Sequence, residues 1–324
     1  GVQTCALPIL ISEIMKAIVM HGPGLADELF YESAPKPTPG VGRVLVKVHA
    51  ASVNQIDWKR ASGRAGSTLT PAFPWIPGMD FAGTVEAVGD GAEGFEAGDM
   101  VFGCTDGGAY AEYVEADPAQ LVVKPMEFSY VDAAAAAYVS QTAWQALYRH
   151  GRLGKGQHVL IHGAAGAVGA FAVQFARYTE AEVYATAAGR DRDFVLSLGA
   201  DVFIDYRTED FAAVARDMDL VIDLVGGDTL ARSYGVVRPG GRLVTLVGKA
   251  EEELARECGI EAVSMGVEPN ARDLARIAEL VEGHHVTVDI AAVFWLRDAC
   301  KAWNYVLDPN PGRRVHGKVV LQVV

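Results

Sequence analysis

The sequence predicts an α/β protein in which a β-rich domain of short strands carries a doubly wound parallel-sheet domain inserted within it. Three observations predict this. Strand-length apolar runs broken by Gly and Pro fill residues 15–126. From residue 158 apolar runs alternate with helix-compatible segments, the mark of a parallel sheet flanked by helices. The last forty residues turn strand-like again, so the chain returns to the domain it began with.

The elements follow in order. Residues 16–20 read as a strand and residues 28–31 as a second. Pro35, Pro37 and Pro39 then enforce an extended linker. Val44, Val46 and Val48 alternate along a strand at 43–50, and further strands are expected at 81–88, 100–103, 109–114 and 120–123. An alanine-rich helix opens at 129–137 and a helical pattern continues over 142–149. Strands at 159–161, 183–186, 202–205, 220–224, 243–247 and 262–265 make up the alternating half, and residues 271–281 form a helix after the last. The tail offers strands at 286–290, 293–294 and 318–323 around a helix at 296–307. No internal repeat or low-complexity tract is present. Domain limits are expected at 15–130 with 288–324 for the β-rich part, and at 131–287 for the insert.

The stretch His158-Val159-Leu160-Ile161-His162-Gly163-Ala164-Ala165-Gly166-Ala167-Val168-Gly169 organises this plan. A buried strand runs through a bend of small residues into a helix whose apolar positions are Val168, Phe171, Ala172 and Phe175. Backbone N–H groups in such a bend, at a helix N-terminus, hold a pyrophosphate. Ala165, Gly166, Ala167 and Val168 are placed to do so. Gly166 lets backbone approach phosphate, and Gly169 lets helix pack on strand. Ala164 stands where the common fingerprint has its first glycine. A tight turn without a nucleotide is the alternative.

Composition narrows the partners. With 28 Lys and Arg against 41 Asp and Glu, the net charge is −13, which argues against nucleic acid or an anionic membrane surface. Half the residues are apolar, enough for a core, yet no run is long enough to span a bilayer. Four scattered cysteines, Cys5, Cys104, Cys258 and Cys300, suggest neither a disulfide framework nor a cysteine-rich zinc site, and a reducing, cytoplasmic setting is expected. Residues 1–9 resemble the translation of a sequencing-adapter oligonucleotide. Residues 1–14 are therefore expected to be a non-native leader outside the fold, with Met15 as the natural start.

Several short motifs, taken together, carry a family likeness. They are Asn54-x-x-Asp57-Trp58, Pro77-Gly78-Met79-Asp80-Phe81-Ala82-Gly83, Gly107-Gly108-Ala109-Tyr110-Ala111-Glu112-Tyr113, Thr142-Ala143-Trp144, the glycine bend, Ser197-Leu198-Gly199-Ala200-Asp201, Val221-Ile222-Asp223-Leu224-Val225-Gly226-Gly227, Pro239-Gly240-Gly241-Arg242 and His316-Gly317-Lys318. In this order the chain resembles the medium-chain dehydrogenase/reductase superfamily, within it the zinc-free quinone oxidoreductase (zeta-crystallin-like) and enone reductase branch. The resemblance implies a GroES-like β-rich catalytic domain, a Rossmann domain, NADPH, a small quinone or enone substrate and a homodimer.

Zinc-binding relatives hold their metal through Cys, a Gly-His-Glu motif and a further Cys. Asn54 falls at the first Cys, Gly78-Met79-Asp80 replaces the motif, and no Cys lies near Thr142, so no metal ligand is expected. His284 and His285 point apart and have no third ligand near them.

NADPH is favoured over NADH because no acid ends the second strand of the insert. Ala187 and Ala188 stand there, and Arg190 follows, suited to a 2′-phosphate unless Asp191 pairs with it or with Arg192. Tyr206 matches a family tyrosine beside the adenosine phosphate. Val225, Gly226, Val247 and Gly248 end the fourth and fifth strands on the dinucleotide's path. Lys318 reaches a phosphate or snorkels.

For the chemistry, Asn54 donates to a substrate carbonyl or ribose, or else caps a loop. Asp57 sits beside it. Trp58 and Tyr138 wall a flat substrate, and Thr142 bonds the nicotinamide end. Reduction of quinones or α,β-unsaturated carbonyls is expected. An enoyl-thioester reductase and an NADPH-binding structural or regulatory protein with little turnover are the alternatives.

Overall fold

A computed structural model describes residues 13–66, 68–308 and 316–324. Residues 1–12 of the expected leader lie outside the described residues. Glu13 and Ile14 do not: Ile14 pairs with Pro35, and the Lys36 N–H donates to the Glu13 carbonyl at 2.7 Å. The end of the expected leader is thus part of the first strand pair, because that strand needs its ladder completed on both sides.

The β-rich lobe opens with β1 (Ile14–Val19) and β2 (Phe30–Pro35), an antiparallel pair. A sheet of seven strands follows. Its chain-order members are β3 (Val44–Ser52), β4 (Asp80–Val88), β5 (Met100–Cys104), β6 (Tyr113–Ala116) and β7 (Leu121–Val123). Helix α1 (Gln55–Ala61) leaves the end of β3. The parallel sheet contains β8 (His158–His162), β9 (Glu182–Ala187), β10 (Val202–Asp205), β11 (Met218–Asp223), β12 (Val237–Thr245) and β13 (Glu261–Ser264). The chain returns through β14 (Ile290–Trp295) and β15 (Lys318–Gln322) to the first sheet, whose order is β14-β15-β3-β4-β5-β7 with β6 beside β3.

Helix α2 (Tyr130–Trp144) joins the lobes. Ala133, Ala134, Ala135, Ala136 and Ala137 are all fully buried, because the helix packs on β3, β4 and β5 and also on α3 (Ala167–Tyr178). A helix covered all round reads as apolar all round, and alanine lets both neighbours come close. The continuation expected over 142–149 is a π-helical turn, Gln145–His150. The strand expected at 286–290 begins only at Ile290, and that expected at 109–114 only at Tyr113.

Helices α4 (Arg192–Ser197), α5 (Phe211–Val214), α6 (Gly227–Ser233) and α7 (Glu252–Cys258) cover the parallel sheet, and α8 (Ala271–Glu282) packs on α2 and β7. Helix α9 (Ala299–Leu307) packs on the returning strands, with Trp303 fully buried. The parallel order is β10-β9-β8-β11-β12-β13, so its direction reverses between β8 and β11. That switch point is where ligands bind open parallel sheets, and the glycine bend leaves β8 there. No described helix is long and apolar enough to cross a membrane.

His162 ends β8 buried between elements. Its Nδ1 lies 3.0 Å from Thr186 Oγ1 and its Nε2 3.1 Å from Ser233 Oγ, with its ring edge-on to Phe211. Burial pushes its pKa from 6.5 down to about 4. Between those values the unfolded chain binds a proton that the folded one refuses, so stability falls as pH drops. We expect His162 to account for about 3 kcal/mol of acid destabilisation over that window. Urea midpoints of wild type and His162→Gln at pH 7.5 and 4.5 check this. The variant is expected to start lower and lose less on acidification.

Candidate active site

A cavity of about 480 Å³ lies where the glycine bend faces the β-rich lobe. Asn54, Trp58, Tyr138, Thr142 and Lys318 line it together with residues 166–169 and Val247.

The bend is shaped by contact. A Cβ on Gly169 would lie 2.3 Å from the Gly163 carbonyl oxygen and 2.7 Å from Ala164 Cα, so only glycine lets α3 seat against β8. Gly166 is different. A Cβ there would meet only the Gly163 carbonyl oxygen, at 3.3 Å, and beyond it the space is open. Gly166 is the N-cap of α3, and no side chain caps that end. The first N–H groups of α3 therefore have no intrahelical partner and face the cavity.

Beneath the opposite wall lies a buried polar cluster. The Lys318 ammonium donates to the Val53 carbonyl at 2.7 Å and to Asn54 Oδ1 at 2.6 Å. Asn54 Nδ2 donates to Asp80 Oδ1 at 2.9 Å, and Ser52 Oγ lies 2.8 Å from both Asp80 oxygens. The Asn54 amide has one permitted orientation, since ammonium only donates and carboxylate only accepts. Burial pushes the Lys318 pKa down, and the nearby Asp80 charge resists that. Burial pushes Asp80 up, and Lys318 resists in turn.

This geometry corrects three expectations. Asn54 borders the cavity, but its donors are spent on Asp80 and, weakly, on the Ser52 carbonyl at 3.4 Å, so it does not serve a substrate carbonyl. Asp57 does not reach the cavity at all. Its Oδ2 accepts from the Asn54 N–H at 2.8 Å and the Tyr110 hydroxyl at 2.9 Å, capping α1. Burial raises its pKa to about 7, against the Asn54 N–H and with the Asp80 charge. Lys318 likewise turns into the cluster instead of out to a phosphate.

The remaining residues sit as follows. Trp58 lines the cavity with its ring edge toward Trp303 at 6.1 Å. The Thr142 hydroxyl donates to the Tyr138 carbonyl at 2.9 Å, leaving only its lone pairs for a ligand. The Tyr138 hydroxyl has no hydrogen-bond partner among the described residues, and burial keeps it protonated well above the usual phenol range. At the far end, Ala187 and Ala188 close β9, both buried. The Arg190 Nε is buried and makes no hydrogen bond among the described residues, but it forms a 3.7 Å ion pair with Asp191, the alternative the sequence offered. Tyr206, Val225 and Val247 are exposed, and a Cβ on Gly248 would strike Leu230 at 2.6 Å. Ala165 packs against the parallel-sheet core.

Sequence reasoning missed Ser52, Asp80 and Tyr110 as anchors, and Arg207, whose guanidinium lies 5.7 Å from the Tyr206 ring. Asp80 stands in a motif inspected only for zinc ligands. Its partner Lys318 lies too far along the chain for spacing to reveal the pair.

Lys318→Met is expected to cost about 3–5 kcal/mol, because Asp80 stays buried without its cation. Adding Asp80→Asn is expected to recover much of that loss, read as midpoints in a denaturant double-mutant cycle.

Residues 40–126 match the alcohol dehydrogenase GroES-like domain family, and residues 198–321 match a family described as zinc-binding dehydrogenase. The chloroplastic quinone oxidoreductase QR1 of Triphysaria versicolor is 31% identical over 335 residues, covering 97% of this chain and 100% of that protein. The 2-methylene-furan-3-one reductase of Solanum lycopersicum is 34% identical over 74% of this chain and 64% of its own. The solved quinone oxidoreductase of Coxiella burnetii superposes with a TM-score of 0.89 at 32% identity, over 96% of this chain and 100% of that one. With its GroES-like lobe, its Rossmann sheet and these relatives, the chain belongs to the medium-chain dehydrogenase/reductase superfamily of oxidoreductases.

Proposed function

We propose that the protein is an NADPH-dependent, zinc-independent reductase of quinones or α,β-unsaturated carbonyls. The observation that carries this reading is the uncapped N-terminus of α3. It opens on the same cavity that Tyr138 lines, with Gly166 leaving room for a phosphate.

A dinucleotide fits what is there. The N–H groups of residues 167–169 would take the pyrophosphate. The unbonded Arg190 Nε would take a 2′-phosphate, and Tyr206 and Arg207 flank that end. The acid that would favour an unmodified ribose is missing from the end of β9, where Ala187 and Ala188 stand. When bound, the nicotinamide supplies a hydride.

Zinc has a poor donor set here. Among the described residues no three His, Cys, Asp or Glu side chains converge. At the family's metal position, Asp80 is already matched by the Lys318 ammonium, linked through Asn54. A second cation would have to displace the first.

The chain's own part follows from its groups. Trp58 and Val247 give a flat substrate apolar walls and exclude water. Negative charge growing on the substrate oxygen is met by the Tyr138 hydroxyl as hydrogen-bond donor. The buried Lys318 ammonium makes the potential along the same wall more positive, which favours that growing charge.

NADPH consumption with 9,10-phenanthrenequinone, 1,4-benzoquinone and 2-alkenals tests the reading. Turnover with at least one acceptor, and preference for NADPH over NADH lost in Arg190→Ala, are expected. Binding without consumption contradicts a reductase, and stoichiometric zinc in protein purified without chelator contradicts zinc independence. Tyr138→Phe is expected to lower kcat by about 10- to 100-fold while leaving the NADPH dissociation constant unchanged.

A further inference from the structure

The chain re-enters β15 past the dinucleotide lobe, and one residue ties the two together. The His316 ring stacks on Phe194 of α4, with centroids 4.1 Å apart and planes 7° from parallel. Its Nε2 lies 2.9 Å from Asp191 Oδ1. Gly317 makes this approach possible. Its φ is +81°, and any Cβ there would lie 2.0 Å from the Asp289 carbonyl oxygen.

Asp191 is buried, and the same Oδ1 stands 3.7 Å from Arg190 Nε, within ion-pair range but beyond hydrogen-bond reach. One carboxylate oxygen thus lies between an imidazole and a guanidinium, and the fold gives it to the imidazole. Arg190 Nε is left buried with no acceptor among the described residues. A buried guanidinium N–H without an acceptor is costly unless a ligand supplies one.

We infer that His316 is a positioning residue for cofactor choice: by holding Asp191, it keeps the Arg190 guanidinium free for a phosphate on the adenosine ribose. The inference rests on the reading of Arg190 as the 2′-phosphate ligand. Without His316, a small rotation of Asp191 closes the gap to Arg190. The loose ion pair would then become a hydrogen-bonded one, and Asp191 would compete with the incoming phosphate for the Arg190 Nε–H.

Calorimetric binding of 2′,5′-ADP and of 5′-AMP separates the possibilities without any turnover. His316→Ala is expected to weaken 2′,5′-ADP about fivefold and to leave 5′-AMP unchanged. His316→Gln, whose amide still donates to Asp191, is expected to restore most of the loss. In an Asp191→Asn background, where the rival charge is gone, His316→Ala is expected to change nothing. Asp191→Asn alone is expected to bind 2′,5′-ADP at least as tightly as wild type.

An equal loss for both nucleotides in His316→Ala overturns the inference. So does the same loss in the Asn background, or weaker 2′,5′-ADP binding by Asp191→Asn alone. If Arg190→Ala binds 2′,5′-ADP as wild type does, the underlying reading falls and takes the inference with it. If Arg190→Ala weakens binding but His316→Ala does not, only the inference falls.

Discussion

Helix α3 rests on β8 with no space for a side chain between them, and the cavity owes the edge formed by the helix start to that contact. Gly169 sits against the Gly163 carbonyl where any Cβ would overlap it. The helix start is thereby drawn into the bend, and its unpaired N–H groups come out at the point where the sheet order reverses. The alanines of α2 carry the same logic to the other lobe. They bring β3 and β4 close enough to α3 for Tyr138 and Thr142 to face the bend.

The opposite wall depends on a single buried cation. Lys318 is the first residue of the returning strand β15, and it reaches across to Val53, just past β3, and to Asn54 at the start of α1. Its ammonium fixes the Asn54 amide, which in turn holds Asp80. Sequence distance is large, 264 positions between Lys318 and Asn54, so this cluster closes only when the C-terminal strand docks. The β-rich lobe and the cavity wall are therefore completed together. A charged group is kept beside the cavity without being exposed, which leaves a field on the cavity and few free donors in it.

Much of the fold was legible in the sequence because its signals are local. Val44, Val46 and Val48 alternate, and the apolar runs of the insert stand between helical segments. The small-residue bend announces its own geometry. Short elements escaped notice: α1 has seven residues and no clear period, and the π-helical turn at Gln145–His150 leaves no mark that distinguishes it from an α-helix. The site was half legible. Tyr138, Thr142, Trp58 and the bend do line one cavity. Asn54 and Asp57 differ from expectation for a physical reason: a polar side chain near a cavity serves a ligand only if the protein has not already used its donors and acceptors. That depends on Asp80, Tyr110 and Lys318, which no spacing rule brings together.

The most direct measurement is a calorimetric titration of NADPH into wild type and Gly166→Ala. An added methyl at Gly166 meets only one carbonyl oxygen in the protein, so the variant is expected to melt as wild type does. Saturable heat in the wild type, and binding weakened at least tenfold in the variant, are expected if the bend cradles phosphate. No heat with either NADPH or NADH in the wild type, or undiminished binding by Gly166→Ala, would contradict it.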